Sequence, residues 1–184
     1  MTMVALSALL ITGVAHAGPY DYGWALSASD TDPAVQTAAP AAGVRSVHLW
    51  LVCTADDGAA AAEFDLDITG DMQVLGFSPV AAVLNAGNET ELLLAIGGCP
   101  SAPFRAGSFN VFSAVDGVGR LCLVPSATNG LNVTVDCDPI APLQNLNAVI
   151  GFSTDGTDPC LDQASPCLIP VDDTSWSAVK GMYR

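Results

Sequence analysis

The sequence predicts an all-β fold: an antiparallel, jelly-roll-like or immunoglobulin-like β-sandwich of about eight or nine strands, finished by one short helix. Three observations predict it. Apolar and polar residues alternate with a period of two in several separate runs, which sends successive side chains to opposite faces of a strand. Those runs are bounded by Gly, Pro, Asn or Asp, and the 184-residue chain holds 17 glycines and 12 prolines. Between the runs there is no sustained helical period.

Taken in order, residues 1–17 come first. Val4 to Val14 is an apolar run, and Ala15-His16-Ala17 follows as a small-x-small cleavage pattern. The run is too short to span a bilayer, so 1–17 reads as a removable secretion signal, although Met1-Thr2-Met3 carries no Lys or Arg. Residues 18–184 then form a single domain, large enough to bury roughly 70% of its unfolded surface in a core of its own. Tyr20, Tyr22 and Trp24 fall on alternate positions and share one face of a first strand. Residues 33–43 are small and Pro-punctuated, and read as a connecting segment.

The body follows as strands. Val47, Leu49, Leu51 and Cys53 alternate with Ser46, His48, Trp50 and Val52. Phe64, Leu66 and Ile68 alternate with Glu63, Asp65 and Asp67, the cleanest inside–outside pattern in the chain. Further strands are expected at 74–77, 92–96, 109–112, 121–124, 131–135 and 148–152. The chain ends in a predicted helix over 174–184. Thr174 is its N-cap, and Trp176, Val179 and Tyr183 lie at i, i+3 and i+7. Asp172 and Asp173 precede it and Lys180 and Arg184 lie toward its end, as the helix dipole favours.

Charge excludes whole classes of partner. Five basic residues stand against nineteen acidic ones, a formal charge of −14. Nucleic acid and anionic membrane surfaces are held by clustered Lys and Arg, which this chain lacks. No apolar run after the signal is long enough to span a membrane. A secreted, periplasmic or cell-surface location is therefore expected.

Export makes the six cysteines disulfide candidates. Cys160 and Cys167 bracket a short loop, whose closure is worth on the order of 2–3 kcal/mol in the chain-entropy model. Cys122 and Cys137 flank Asn129-Gly130, a strong two-residue hairpin signal; with those two as the turn, Thr128 faces Leu131 and Cys122 faces Cys137. Cys53 and Cys99 then pair by elimination. A zinc site is the poorer alternative, because no Cys-x₂-Cys spacing occurs.

The search for chemistry yields candidates of several classes. His48 is the one histidine after the signal and the general base that any Ser-His-Asp site would need. Gly151-Phe-Ser153-Thr-Asp155 approaches a nucleophile elbow but lacks its second Gly. Glu63, Asp65 and Asp67 share a strand face, the raw material of a glycosidase carboxylate pair. Asp155, Asp158 and Asp162 offer hard oxygen ligands for calcium on one loop, without EF-hand spacing. Tyr20, Tyr22, Trp24 and Trp50 could form a stacking platform for sugar rings. Asn88-Glu-Thr90 and Asn132-Val-Thr134 are N-glycosylation sequons.

Two resemblances add to this reading. The closing stretch Thr174-Ser-Trp176-Ser-Ala-Val-Lys180-Gly-Met-Tyr183-Arg184 resembles the terminus of a group of uncharacterised exported bacterial β-rich proteins. That implies bacterial export and no particular activity. Ala61-Ala-Glu63-Phe-Asp-Leu-Asp-Ile, then Met72-Gln-Val-Leu-Gly-Phe-Ser-Pro79 and Ala106-Gly-Ser-Phe109, is similar to the strands of cohesin-type modules. Those are jelly-roll sandwiches that bind dockerin partners at bacterial surfaces. The chain departs from them in having Thr69-Gly-Asp71 where they carry Tyr-Asp, and in its cysteines.

The expectation is an exported, non-catalytic module that contacts a protein or a glycan at the cell surface, with no cofactor. A calcium-dependent carbohydrate-binding module is the alternative, and a glycoside hydrolase using the acidic strand face is the second alternative.

Overall fold

In the computed structural model, the described residues are 22–54, 58–128, 130, 132–140, 144–155 and 160. The signal, the predicted terminal helix and Tyr20 lie outside them. Eleven strands occur: β1 (Tyr22–Ser27), β2 (Gly43–Cys53), β3 (Ala59–Gly70), β4 (Gln73–Pro79), β5 (Val83–Asn85), β6 (Glu91–Ile96), β7 (Phe104–Ser113), β8 (Gly119–Val124), β9 (Val133–Asp136), β10 (Gln144–Ile150) and β11 (Phe152–Ser153).

They form two layers. The first sheet runs β4–β7–β2–β1–β10. In the second, β5 pairs with β6 and β6 with β3. The far edge of β3 is shared: Ala59–Glu63 pair with β9, and Asp65–Gly70 pair with β8. β10 belongs to both layers. Its residues 144–146 pair with β9, and 147–150 then run parallel to Tyr22–Ala25 of β1. That parallel pair departs from the wholly antiparallel expectation. The strand count exceeds the expected eight or nine because the three-residue β5 carries too short a pattern to be seen, and because Gly151 divides the last expected strand.

Alternation builds the core. Val47, Leu49 and Leu51 of β2 and Phe109 and Val111 of β7 face Phe64 and Leu66 of β3, Leu92, Leu94 and Ile96 of β6, and Leu121 and Leu123 of β8. Fully burying side chains of this size contributes about 1.5–3 kcal/mol each. β1 breaks the alternation, because all six of its residues are buried. Its inward face carries Tyr22 and Trp24, both fully buried. The Trp24 ring packs on Phe64 of the opposite sheet, with centroids 5.5 Å apart and planes at 57°. Its Nε1–H donates to Thr134 Oγ1 of β9 at 2.9 Å. Tyr22 Oη donates to the Gly58 carbonyl at 2.8 Å. Gly58 has φ +75°, and a Cβ there would strike the Cys99 backbone, so only glycine fits that approach.

The connecting segment 33–43 docks on the sandwich. Thr37 makes an isolated parallel bridge to Ser153, with Ser153 N donating to Gln36 O and Ala38 N donating to Ser153 O.

The disulfides differ from the expected pairing. Cys99 bonds to Cys137 with Cα atoms 5.9 Å apart, and Cys122 bonds to Cys160 at 5.8 Å. Cys53 is also disulfide-bonded, but not to Cys99. The Cys122–Cys137 expectation failed because β8 and β9 do not form a hairpin. β3 is 12 residues long, enough to take two short strands end to end along one edge. In the connection between them, Gly130 has φ +72° and donates its N–H to Ser126 O. Cys160 is held by Cys122, so the short Cys160–Cys167 loop does not form; Cys167 lies outside the described residues. Each observed bond spans 38 residues, which is worth about 4 kcal/mol of chain entropy, more than the short loop would have supplied.

One carboxylate organises the end of the sandwich. Asp71 Oδ2 accepts the N–H of Val115 at 2.6 Å and of Gly117 at 3.4 Å, tying the β3–β4 turn to the 114–118 loop. The Val115 N–H and its neighbours hold the Asp71 carboxyl below its ordinary value.

Two outcomes are expected. Thr134→Val leaves the buried Trp24 N–H without its acceptor and should cost about 1–3 kcal/mol, read as a lower urea midpoint at unchanged m. Because the folded value of Asp71 lies below the unfolded one near ~3.9, its contribution is complete above that pH and is lost as pH falls through the lower folded value. Protection of the Val115 amide, its exchange rate relative to the free-chain rate at the same pH, should therefore fall in acid below about pH 4. In Asp71→Asn that protection should be low already at neutral pH and lose the acid dependence.

Candidate functional site

Residues directly opposite in a β ladder point to the same face. The outer face of the β5–β6–β3–β9/β8 sheet can therefore be assembled row by row. Leu84, Ala95, Ala61 and Val135 form the first row. Leu93, Glu63 and Val133 form the second. Glu91, Asp65 and Val124 form the third, and Asp67 and Cys122 the fourth. Successive rows lie about 6.8 Å apart, two residues of strand rise. Across this face the side chains grade from apolar to acidic.

Exposure supports the assignment. Leu84 is 65% exposed and Leu93 46%, whereas Leu92 and Leu94, one residue to either side of Leu93, are in the core. Neighbouring turns hold the acidic rows in place. Thr128 Oγ1 donates to Glu91 Oε1 at 2.6 Å, and Asn88 Nδ2 donates to Glu91 Oε2 at 3.3 Å. Asp65 Oδ2 accepts the Ala127 N–H at 2.8 Å. The strand face of Glu63, Asp65 and Asp67 expected from alternation thus forms, next to leucines that alternation alone did not reveal. Leu92-Leu93-Leu94 reads the same on both faces, and β5 was not expected at all. The one usable signal was the register partner: whatever lies opposite Glu63 must point outward with it.

The outer face of the other sheet is of a different kind. His48 lies opposite Ser108, and Nδ1 and Oγ are 2.7 Å apart. Burial, then the Arg105 guanidinium, lowers the His48 pKa, and Asp30 partly offsets this. Arg105 and Asp30 stand 3.9 Å apart as an exposed ion pair. A Ser–His pair needs convergent N–H donors for an oxyanion before it can do acyl chemistry. Here both residues sit on interior strands, β2 between β1 and β7, and β7 between β2 and β4, whose backbone groups serve the ladders. The pair is a cross-strand hydrogen bond on a flat face.

The other expected site residues scatter. Tyr22 and Trp24 are core, and Trp50 is 8% exposed with its Nε1–H donating to Ser29 O. These aromatics offer no ring face for stacking, which corrects the platform expectation. Tyr22 and Trp24 belong to the core between the sheets, and Trp50 is held against Ser29 in the segment that follows β1. Asp155 accepts from Arg120 Nε at 3.0 Å. Asp158 and Asp162 lie outside the described residues. Among the described residues no group of three or more His, Cys, Asp or Glu side chains is arranged to hold a metal ion, and no helix is long and apolar enough to cross a membrane.

No protein-family model matches the sequence, and no curated protein matches it. Solved structures do. A cohesin module from a type I cohesin–dockerin complex of Clostridium thermocellum superposes with a TM-score of 0.50 at 10% identity, covering 71% of this chain and 95% of that one. The sixth cohesin of Acetivibrio cellulolyticus scaffoldin B, solved with a mutant Cel5 dockerin, gives 0.48 at 10% identity over 72% and 96%. The first likeness places the chain in the fold class of cohesin-like β-sandwiches, in agreement with the resemblance seen in β3, β4 and β7.

The two adjacent leucines separate face from core experimentally. Leu92→Ala should cost about 2–5 kcal/mol. Leu93→Ala should stay within about 0.5 kcal/mol of the parent in the same urea titration.

Proposed function

We propose that this chain is an exported, non-catalytic protein-interaction module, and that the graded outer face of β5–β6–β3–β9 is its binding surface. The observation that carries this reading is the two exposed leucines, Leu84 and Leu93, set in register beside Glu63, Asp65 and Glu91. A patch of apolar side chains bordered by one sign of charge fits a partner that presents the complementary arrangement: an apolar ridge flanked by Lys or Arg. The apolar rows would supply desolvation, and the acidic rows orientation and on-rate. The cohesin-like fold supports the class of function, since the similar Clostridium thermocellum module was solved in a cohesin–dockerin complex, and a dockerin-like partner is the first to try. Disulfides support an oxidising compartment outside the cytosol.

The calcium-dependent glycan reading drew on exposed aromatics as well as on the Asp155, Asp158 and Asp162 ligand set, and the burial of Tyr22, Trp24 and Trp50 removes the first of these supports. The hydrolase reading depended on Glu63, Asp65 and Asp67 as working acids, and Asp65 is engaged in capping the 126–128 turn.

Binding should be measured by calorimetry against a panel of dockerin modules that carry Lys or Arg beside an apolar helix face. Leu93→Asp should weaken a positive interaction at least about tenfold (~1.4 kcal/mol), and Glu63→Lys should slow association at low salt. Val44→Asp, an exposed change on the opposite sheet, should leave it unaltered. Loss with Val44→Asp and none with Leu93→Asp would move the site to the other sheet. Silence across the whole panel would remove the dockerin-like partner.

A further inference from the structure

We infer a second binding site at the free edge of β4, one that takes a short extended peptide segment by strand addition. It does not rest on the sheet-face reading above. β4 ends the first sheet among the described strands, paired to β7 on one side only. Val80 donates its N–H to the Ala106 carbonyl, and the two-residue alternation of an antiparallel ladder then turns Ser78 and Gly76 toward β7. Phe77 and Pro79 turn the other way. The open edge therefore presents the N–H and C=O of Phe77 together, and beyond them the carbonyl of Pro79.

A cleft stands against that edge. Gly76, Phe77 and Pro79 of β4 form one wall, and Leu84, Asn85 and the 87–89 turn form the other, around a volume of about 460 Å³. This falls within the range of small-ligand and peptide pockets. The β4 wall is rigid, because the Phe77 ring packs on Phe109 at 4.7 Å and closes over Gly107. The far wall is rigid too. Asn85 Oδ1 accepts from Gly87 N and Leu93 N, and Asn88 Oδ1 accepts from Thr90 N and Glu91 N. Those amides are occupied within the turn, so recognition falls to the Phe77 backbone, the apolar surface of Leu84 and Pro79, and the carboxylate of Glu89. Strand addition works by this division: main-chain hydrogen bonds give affinity, and flanking pockets choose the side chains.

The edge also limits how long the added strand can be. A bulge interrupts the β4–β7 register between Val74 and Gly76, and Pro79 lacks an N–H at its outward position. Bulges and edge prolines are the devices by which sheets refuse extended edge-to-edge pairing. One residue pair remains, centred on Phe77. That favours a short segment over a second copy of this chain, whose β4 would bring the same interruptions. The occupant is accordingly an extended peptide with small apolar side chains at alternate positions and a Lys or Arg facing Glu89, the sign that the chain's charge of −14 also selects.

The test uses the full chain and the synthetic peptide acetyl-Lys-Val-Thr-Val-Thr-Lys-amide, fluorescein-labelled for anisotropy. Saturable binding is expected, with amide exchange at Phe77 slowed at least tenfold by saturating peptide. N-methylation of the central peptide bonds should abolish binding. Glu89→Lys, an exposed change, should weaken it at least about tenfold (~1.4 kcal/mol). Gly76→Val should do the same without loss of fold, since a Cβ at Gly76 meets nothing within 4 Å. Leu93→Asp, which impairs the sheet-face site, should leave peptide binding intact. No saturation at millimolar peptide would overturn the inference, as would indifference to N-methylation and Glu89→Lys. Sedimentation showing a dimer that the peptide dissociates would overturn it in favour of a second copy as the natural occupant.

Discussion

A buried indole sets the terms for the rest of this sandwich. Trp24 is completely enclosed, and its ring N–H loses water on folding, so an acceptor has to be held in reach inside the core. Thr134 supplies it from β9, on the opposite layer. The bond therefore specifies how far apart the sheets lie at this point and which part of β9 stands over β1. Phe64 packing against the same ring fixes β3 beside it. β10 then closes the arrangement by pairing first with β9 and afterwards with β1, so the layers are joined by backbone as well as by side chains.

β3 is the second organising element. Ala61–Asp65 pair with β6 along one edge, and along the other the strand pairs with β9 and then β8. A strand paired on both sides and backed by Phe64 and Leu66 on the core is a rigid platform. That rigidity is what makes its outer face useful. Glu63, Asp65 and Asp67 are set at fixed spacing, and Leu93 and Glu91 of β6 arrive in register with the first two. A flexible loop carrying the same leucines and carboxylates would lose conformational entropy on binding, whereas here the ordering is complete before a partner arrives. The β4 edge draws on the same physics with backbone groups in place of side chains.

The covalent bonds follow from this geometry. Cys99 and Cys137 follow β6 and β9, which flank β3 on opposite sides, so their disulfide ties the two flanks together past the start of β3. Cys122 sits on the outer side of β8, and its bond to Cys160 holds the chain that leaves β11. Both bonds join segments distant in sequence. Turn signals and loop lengths point to other pairs, because they reflect only the cost of closing a loop and not the positions to which strand pairing carries the sulfurs.

Sequence by itself determined the class of the fold and the core-facing residues. A two-residue period is a property of the chain alone, and Val47, Leu49, Leu51, Phe64 and Leu66 are buried where alternation put them. It also determined that Glu63, Asp65 and Asp67 would share a face. Tertiary structure decided what lies beside that face, which aromatics are core, and which cysteines meet. Trp24 reads as an exposed aromatic until Phe64 of the opposite sheet is seen against its ring, Trp50 until its indole is seen bonded to Ser29, and Leu93 reads as one of three equivalent leucines until β3 gives it a register. The physical reason is common to all of these. Alternation is encoded in adjacent residues, whereas burial, pairing and adjacency across strands depend on segments tens of residues away, and only the folded arrangement brings those together.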